Sequence, residues 1–469
     1  MISWLPAGAL SLAVVVTLPG CSKPVELPSH NLEKADKMIA EAVEQAHAAV
    51  EQNPGSIEAW NTLGSTYYAN GFAEPAIHSF TQSLQLNQLQ PLILYLRGLV
   101  WREQYNLDAS LADLESAIKL KPGISHLHWR AAWVSMENGE LLQAQAFAES
   151  ALGVGPEDHN AIRTRARIHL EAGTAEQGVA LLEPLVAIKP NNRHILWLYT
   201  RLLRAAGRGE EARVYGELSG TDTPVYSDPW ALWAMTRKTG KTVEIRRVVE
   251  NAANGDVEIA EASLRRLIHF YPDDQIIPLL EGLLLKRRGN REEALLRFEA
   301  LCEDYPDWAA PRLHLGLLLL ARDQNGGPPL NEDVARARDA LEVAVELDPG
   351  TTNTRAVLSR ALLIERQWEA ATEHLRVCVA EQPLNYSHRI SLAGALFRRG
   401  KPGESLSILD DATRILIEEP TQAVVLRTRA LMQLGRQEEA GASLEHLRQM
   451  APNHPAIPQI ENSLGAQAP

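Results

Sequence analysis

Apolar residues recur along this chain with the spacing of short amphipathic helices, and the stretch from Ile57 to Gln90 shows the pattern most fully. Trp60, Leu63, Gly64 and Tyr67 stand three and four residues apart, which puts them on one face of a helix. Gly71 ends that helix, and a second apolar face runs through Ala76, Ile77, Phe80 and Leu84. Small residues at Gly64 and Ala76 let the two backbones approach closely, while the large side chains fill the space on either side. The stretch predicts a helical hairpin. A lone hairpin of this size cannot bury both of its faces, so it must stack on others like it.

The partners follow in register. Pro54, Pro122, Pro156 and Pro190 stand 34 residues apart or at a multiple of 34, with Gln88 in that place once, and the same spacing links Pro272 to Pro306 and Pro349 to Pro383. Each falls near the end of a second helix, where its missing donor does little harm. Repeat starts fall at 57, 91, 125, 159, 193, 241, 275, 309, 352, 386 and 421, with a small residue at almost every twentieth place and glycine at most fifteenth places.

This order of residues resembles the tetratricopeptide repeat. The resemblance covers about residues 32 to 452. It implies an all-α protein, a right-handed α-solenoid of about eleven helical hairpins with an N-terminal capping helix. The stretch from Asn31 to Asn53 reads as that cap, because Ala42, Ala46 and Ala49 sit where the small residues of a second helix would.

Interruptions divide the chain further. The expected organisation is a signal peptide at 1–20, a tether at 21–30, a capping helix at 31–54 and repeats one to five at 55–218. An irregular insert follows at 219–240, then repeats six to eleven at 241–452 and a C-terminal cap and tail at 453–469. In the insert, Pro224 and Pro229 forbid a continuous helix, and Asp228 before Pro229 reads as the turn into a short helix from Trp230 to Arg237. The first twenty residues carry no charge, contain an apolar run from Ala9 to Leu18 and end in Leu18, Pro19, Gly20 and Cys21. They read as an export signal. The end resembles a bacterial lipobox, which implies lipidation of Cys21 and, with Ser22 following, a place on the outer membrane facing the periplasm.

Composition narrows the function classes. The chain is 45% hydrophobic and 22% charged, as a soluble helical protein would be, and its net charge of -13 argues against nucleic acid or a general anionic membrane as partner. Its 3 cysteines are too few for a disulfide framework, and Cys302 and Cys378 are expected to be buried thiols. No phosphate loop, HExxH, CxxC or nucleophile elbow is present, so neither an enzyme nor a cofactor is expected. His126, His128, His159, His169 and His194 fall mostly at different repeat positions and so on different faces, and a metal site is not expected.

The resemblance also locates a groove, lined by the second, fifth, ninth and twelfth residues of each first helix. In this chain those positions hold one acid, Glu58, and eight bases, whereas average composition would give about five acids and four bases. The candidate partner-binding residues are Tyr95, Arg102, Trp129, Arg163, Arg167, Trp197, Arg201 and Arg204, with the last four arginines expected in one basic patch beside Trp197. Trp133, beside the helix crossing, is expected in the core. Repeats six to eight offer Leu279, Leu283, Leu313 and Leu317 instead, an apolar stretch that is either open to a peptide or filled by the chain's own insert. Arginines with aromatics suit an acidic protein or extended peptide. The expectation is a non-enzymatic scaffold, lipid-anchored and periplasm-facing, that binds such a partner while an envelope machine is assembled. The alternative is a binder of acidic polysaccharide, with Tyr95, Trp129 and Trp197 stacking on sugar rings.

Overall fold

The computed structural model describes residues 15–16, 25–26, 28, 32–189, 192–219, 228–321, 327–383, 385–413 and 420–465. Cys21, Pro190 and Pro224 lie outside them. A two-residue antiparallel ladder pairs β1 (Val15–Val16) with β2 (Val25–Glu26), and all other regular structure among the described residues is helical. No helix there is long and apolar enough to cross a membrane.

The chain divides into two compact units, Met1–Arg247 and Val248–Pro469. In the first, α1 (Lys37–Gln52) precedes five hairpins: α2 (Ile57–Ala69) with α3 (Ala73–Leu86), α4 (Pro91–Glu103) with α5 (Leu107–Leu120), and α6 (Ser125–Glu137) with α7 (Leu141–Val154). Then come α8 (His159–Glu171) with α9 (Ala175–Ile188), α10 (Arg193–Ala205) with α11 (Gly209–Ser219), and the short α12 (Pro229–Met235). The division falls inside α13 (Lys241–Asn254), which pairs in sequence with α14 (Val257–Phe270). The second unit continues with α15 (Ile276–Arg287) and α16 (Arg291–Asp304), α17 (Ala309–Leu319) and α18 (Asn331–Leu347), and α19 (Thr352–Ile364) and α20 (Trp368–Glu381). It ends with α21 (Tyr386–Arg398) and α22 (Pro402–Thr413), α23 (Thr421–Gln433) and α24 (Gln437–Met450), and α25 (Ile457–Gly465). Each of the eleven first helices begins within one residue of its place in the 34-residue register. The fold is an all-α solenoid.

Local chemistry explains the boundaries. Ser56 Oγ accepts the Ala59 N–H at 3.1 Å to open α2, and Asn192 Oδ1 accepts the Ile195 N–H at 3.0 Å to open α10. At the fourth place of several repeats a side chain donates back to the turn proline six residues earlier. Trp60 Nε1 reaches the Pro54 carbonyl at 2.8 Å, Arg355 reaches Pro349 at 3.0 Å, and Arg389 reaches Pro383 at 2.8 Å. The prolines thus mark the register by offering a carbonyl that the next helix uses. Most hairpins turn on a glycine in the left-handed region, such as Gly71 at φ 87°, but Tyr105 (φ 58°) and Arg366 (φ 62°) hold that conformation with a full side chain.

Packing depends on close approach within each hairpin. A Cβ added to Gly64 would meet the Phe80 ring at 2.6 Å, and one added to Gly282 would meet Phe298 at 2.6 Å. At the start, Val43 and Val50 of α1 join Trp60, Leu63 and Tyr67 in one core, so α1 covers the face that α2 would leave bare. At the end, Ile457 and Ile460 of α25 pack with Leu444 and Leu447 of α24.

His314 of α17 stacks on Phe298, ring centroids 5.8 Å apart, inside the second unit. Burial, helped by the nearby Lys286 charge, pushes its pKa down to about 4. The folded state therefore favours the neutral ring, and between the ordinary histidine value and about pH 4 the unfolded chain binds the extra proton. Stability from this group is complete above about pH 6.5 and is lost as pH falls towards 4, by on the order of 1–3 kcal/mol. His314→Phe should flatten that part of the pH profile of unfolding, and an identical profile for both proteins would count against this account.

Candidate functional site

The groove positions of the first unit converge on a carboxylate that the repeat pattern does not supply. Asp228, at the N-terminus of α12, lies buried against α4 and α6. Its Oδ2 accepts from the Tyr95 hydroxyl, from Arg130 Nη2 at 2.9 Å and from Arg130 Nε at 3.2 Å. Its Oδ1 accepts the N–H groups of Trp230 at 3.1 Å and Ala231 at 2.9 Å, which caps α12. Burial drives the Tyr95 phenol well above its usual range despite the opposing Arg130 charge. Burial opposes the Arg130 charge, but Tyr95 and Asp228 outweigh it and hold the guanidinium more firmly protonated.

The rest of the segment follows the same wall. Trp230 stands edge-on to Tyr95 at 5.5 Å and to His126 at 5.0 Å, and Ala234 joins the first core. The Thr239 N–H donates to Asn70 Oδ1 at 3.1 Å, and the Lys241 N–H donates to Asp36 Oδ2 at 2.8 Å. Residues 228–241 thus run back along α6, α4 and α2 to the cap of α1. The insert that was a candidate to fill an apolar groove in repeats six to eight occupies the aromatic groove of repeats one to three instead.

This arrangement corrects several expected roles. Tyr95 and Trp129 are fully buried; Tyr95 serves the chain's own Asp228, and Trp129 packs with Ala151 and Ala161 beneath the Arg130 guanidinium, 4.4 Å from its ring. Trp133 lies in the same cluster, as expected. Arg102 is matched in the chain: it donates to Glu137 at 2.7 and 2.8 Å, and Trp133 Nε1 donates to the same carboxylate at 2.7 Å. Burial would raise the Glu137 pKa, but those hydrogen bonds hold it below the usual range. Arg163 is buried, with Nη1 3.3 Å from Asn160 Oδ1.

Three expected arginines remain on the surface side. Arg167 is half-buried with its guanidinium 4.9 Å from the Trp133 ring, and Arg201 is exposed with its guanidinium 4.8 Å from the half-buried Trp197 ring. Arg204 is exposed beside Gly216. None of the three is within ion-pair distance of a carboxylate among the described residues. They stand on α8 and α10, two first helices that pack directly on each other.

The histidines are dispersed. His128 Nε2 lies 2.7 Å from the Pro122 carbonyl, and His169 Nδ1 lies 2.8 Å from Thr174 Oγ1. Among the described residues no group of three or more His, Cys, Asp or Glu side chains is placed to hold a metal. Burial pushes the Cys302 thiol up to about 11 and raises that of Cys378.

The tetratricopeptide repeat family matches residues 61–125 and 279–351, one stretch in each unit. The chain carries tetratricopeptide repeats. No curated protein sequence matches it. Among solved structures it is similar to pilF of Pseudomonas aeruginosa, at 13% identity and a TM-score of 0.40, over 47% of this chain and 96% of that one. It is also similar to PilW, a type IV pilus biogenesis factor, at 16% identity and a TM-score of 0.39, over 47% of this chain and 97% of that one. YrrB, a repeat protein with an unusual peptide-binding site, aligns at 13% identity and a TM-score of 0.33, over 38% of this chain and 92% of that one. This likeness is one of repeat architecture and brings no task with it.

Within this tetratricopeptide array, Arg130 and Asp228 are the pair that the groove positions did not single out. Arg130 is sixth in its repeat, one place beyond the fifth, and Asp228 is 98 residues away. Asp228→Ala should leave the Arg130 charge buried without its counter-ion and lower the stability of the first unit by about 3–5 kcal/mol. Urea unfolding of the two proteins checks this, and hydrogen exchange in α4, α6 and α12 should accelerate in the variant. Equal midpoints would mean that the pair does not hold the segment.

Proposed function

We propose that this protein is a binding adaptor, and that the surface formed by α8 and α10 takes an acidic segment of a partner protein. One observation carries this reading. In a chain of net charge -13, Arg167, Arg201 and Arg204 face outward on adjacent first helices with no carboxylate in ion-pair contact among the described residues. Like charges on neighbouring helices repel one another, and the ring contacts of Arg167 and Arg201 and the Glu137 charge near Arg167 offset this only in part, so an anionic ligand is what would complete the balance. Trp197 beside them adds the large, rigid contact area typical of binding anchors. The polysaccharide alternative is the weaker one, since sugar stacking needs open rings and Tyr95 and Trp129 are both enclosed. Lipid attachment at Cys21 and a place on the periplasmic side of the outer membrane complete the proposal, with assembly of an envelope machine as the setting. They rest on the run from Ala9 to Cys21.

Arg201→Glu combined with Arg204→Glu should leave helix content unchanged, because both side chains are exposed. It should weaken binding of a glutamate-rich peptide probe at least tenfold, about 1.4 kcal/mol. The unmodified protein should bind that probe less tightly as salt rises. Equal affinity of the two proteins for the probe rejects the site. The anchor is tested separately by the intact mass of the mature N-terminus, expected at Cys21 with lipid attached; an unmodified terminus at another residue rejects it.

A further inference from the structure

The second unit holds a cleft of about 480 Å3 between the α19–α20 hairpin, α21 and α23, and the foregoing reading does not use it. Its floor is apolar, with Leu363, Ile390 and Val425, and its rim carries Arg398 and Arg429. The exposed Arg398 guanidinium sits 6.0 Å from the ring of Trp368, and Arg429 Nη2 donates to the neutral Gln459 Oε1 at 3.4 Å. Neither arginine is within ion-pair distance of a carboxylate among the described residues.

Gly394 adds an independent sign. It lies inside α21, where glycine is a poor helix former. Elsewhere a glycine within a first helix answers a packing demand: a Cβ on Gly64, Gly282 or Gly316 would meet a side chain of its own hairpin at 2.6 Å. A Cβ on Gly394 would meet nothing within 4 Å, and Gly394 lines the cleft. The space its missing side chain leaves belongs to the cleft and not to the helix contact.

The first unit shows what such a face of this chain accepts. There Asp228 rests on Arg130 while Trp230, two residues on, stands against Tyr95. The cleft presents the same kinds of group, the Arg398 guanidinium near the Trp368 ring and Phe397 in the lining, over an apolar floor. We infer that it binds a segment of another protein in which an aspartate or glutamate is followed, two residues later, by a large apolar side chain. The corresponding segment of a second copy is not the occupant, since Asp228 is only 4% exposed in its own groove. The inference shares with the proposed function the premise that first-helix faces bind protein segments, but it uses different residues in the other unit.

The probe is a labelled peptide with the sequence of residues 227–235, SDPWALWAM, titrated with the full chain and followed by fluorescence anisotropy. The unmodified protein is expected to bind it. Gly394→Leu should weaken binding at least tenfold with an unchanged or raised melting temperature, because leucine fills the cleft and suits the helix better. Arg398→Gln, or asparagine in place of the peptide's aspartate, should weaken it several-fold. Arg201→Glu with Arg204→Glu should not, so the two sites stand or fall separately. No binding by the unmodified protein at millimolar concentration overturns the inference, as does full affinity in a folded Gly394→Leu protein. Should that variant not fold, undiminished affinity in Arg398→Gln overturns it instead.

Discussion

Each first helix of this chain must come close to its own second helix, and the residue at its eighth place limits how close. That residue is Gly64, Gly98, Ala132, Ala166, Thr200, Val248, Gly282, Gly316, Ser359, Ala393 or Thr428 along the chain, small in every case but Val248. Where it is polar and buried, its hydroxyl can turn inward: Ser359 Oγ donates to the Arg355 carbonyl and Thr428 Oγ1 to that of Val424, both at 2.8 Å. Close approach on this face seats the large residue of the second helix, Phe80 over Gly64 or Phe298 over Gly282. The stack then needs only neighbouring contacts. The second, fifth, ninth and twelfth places vary more from repeat to repeat than the eighth does.

Asp228 shows how one of these faces is used within the chain. A buried ion pair stabilises little unless further hydrogen bonds compensate both desolvated charges. Here the carboxylate receives donors from Tyr95, Arg130 and the first turn of α12, so both oxygens are engaged. The pair fixes where the segment lies as much as how firmly it is held. Residues 228–241 are thereby committed to α6, α4 and α2.

The helices and their register were legible because they depend on local spacing: Trp60, Leu63 and Tyr67 announce a face without reference to anything distant. Tyr105 and Arg366 obscured two turns, since the backbone there enters the left-handed region without the glycine that usually signals it. The candidate site was less legible, and for a different reason. Groove position says that a side chain faces inward, but its partner decides whether it is available. Arg102 is engaged by Glu137, which sits thirteenth in the next repeat and so fell outside the positions considered. Tyr95 and Trp129 look like anchors by type, yet the first meets a carboxylate 133 residues on and the second is roofed by Arg130. Long-range pairings of this kind leave no periodic trace.

The placement of acids gives the groove its sign. Acidic side chains in a first helical turn are favoured by the helix dipole, and that argument applies equally to both helices of a hairpin. Every second helix but α7 follows it, with Glu74, Asp108, Glu176, Glu258, Glu292, Glu369, Glu404 and Glu438 among the acids in first turns. The first helices do not. Apart from Glu58 in α2 and Glu244 in α13, none carries an acid there. Dipole and propensity cannot account for that asymmetry, because they act on both sets alike. What differs is the surface each first turn meets, since the second place of a first helix is a groove position. An acid there would cancel the positive end of the helix and pair with the neighbouring arginines. Keeping it out leaves those dipoles uncancelled beside the arginines of the first helices, in a chain whose net charge is -13.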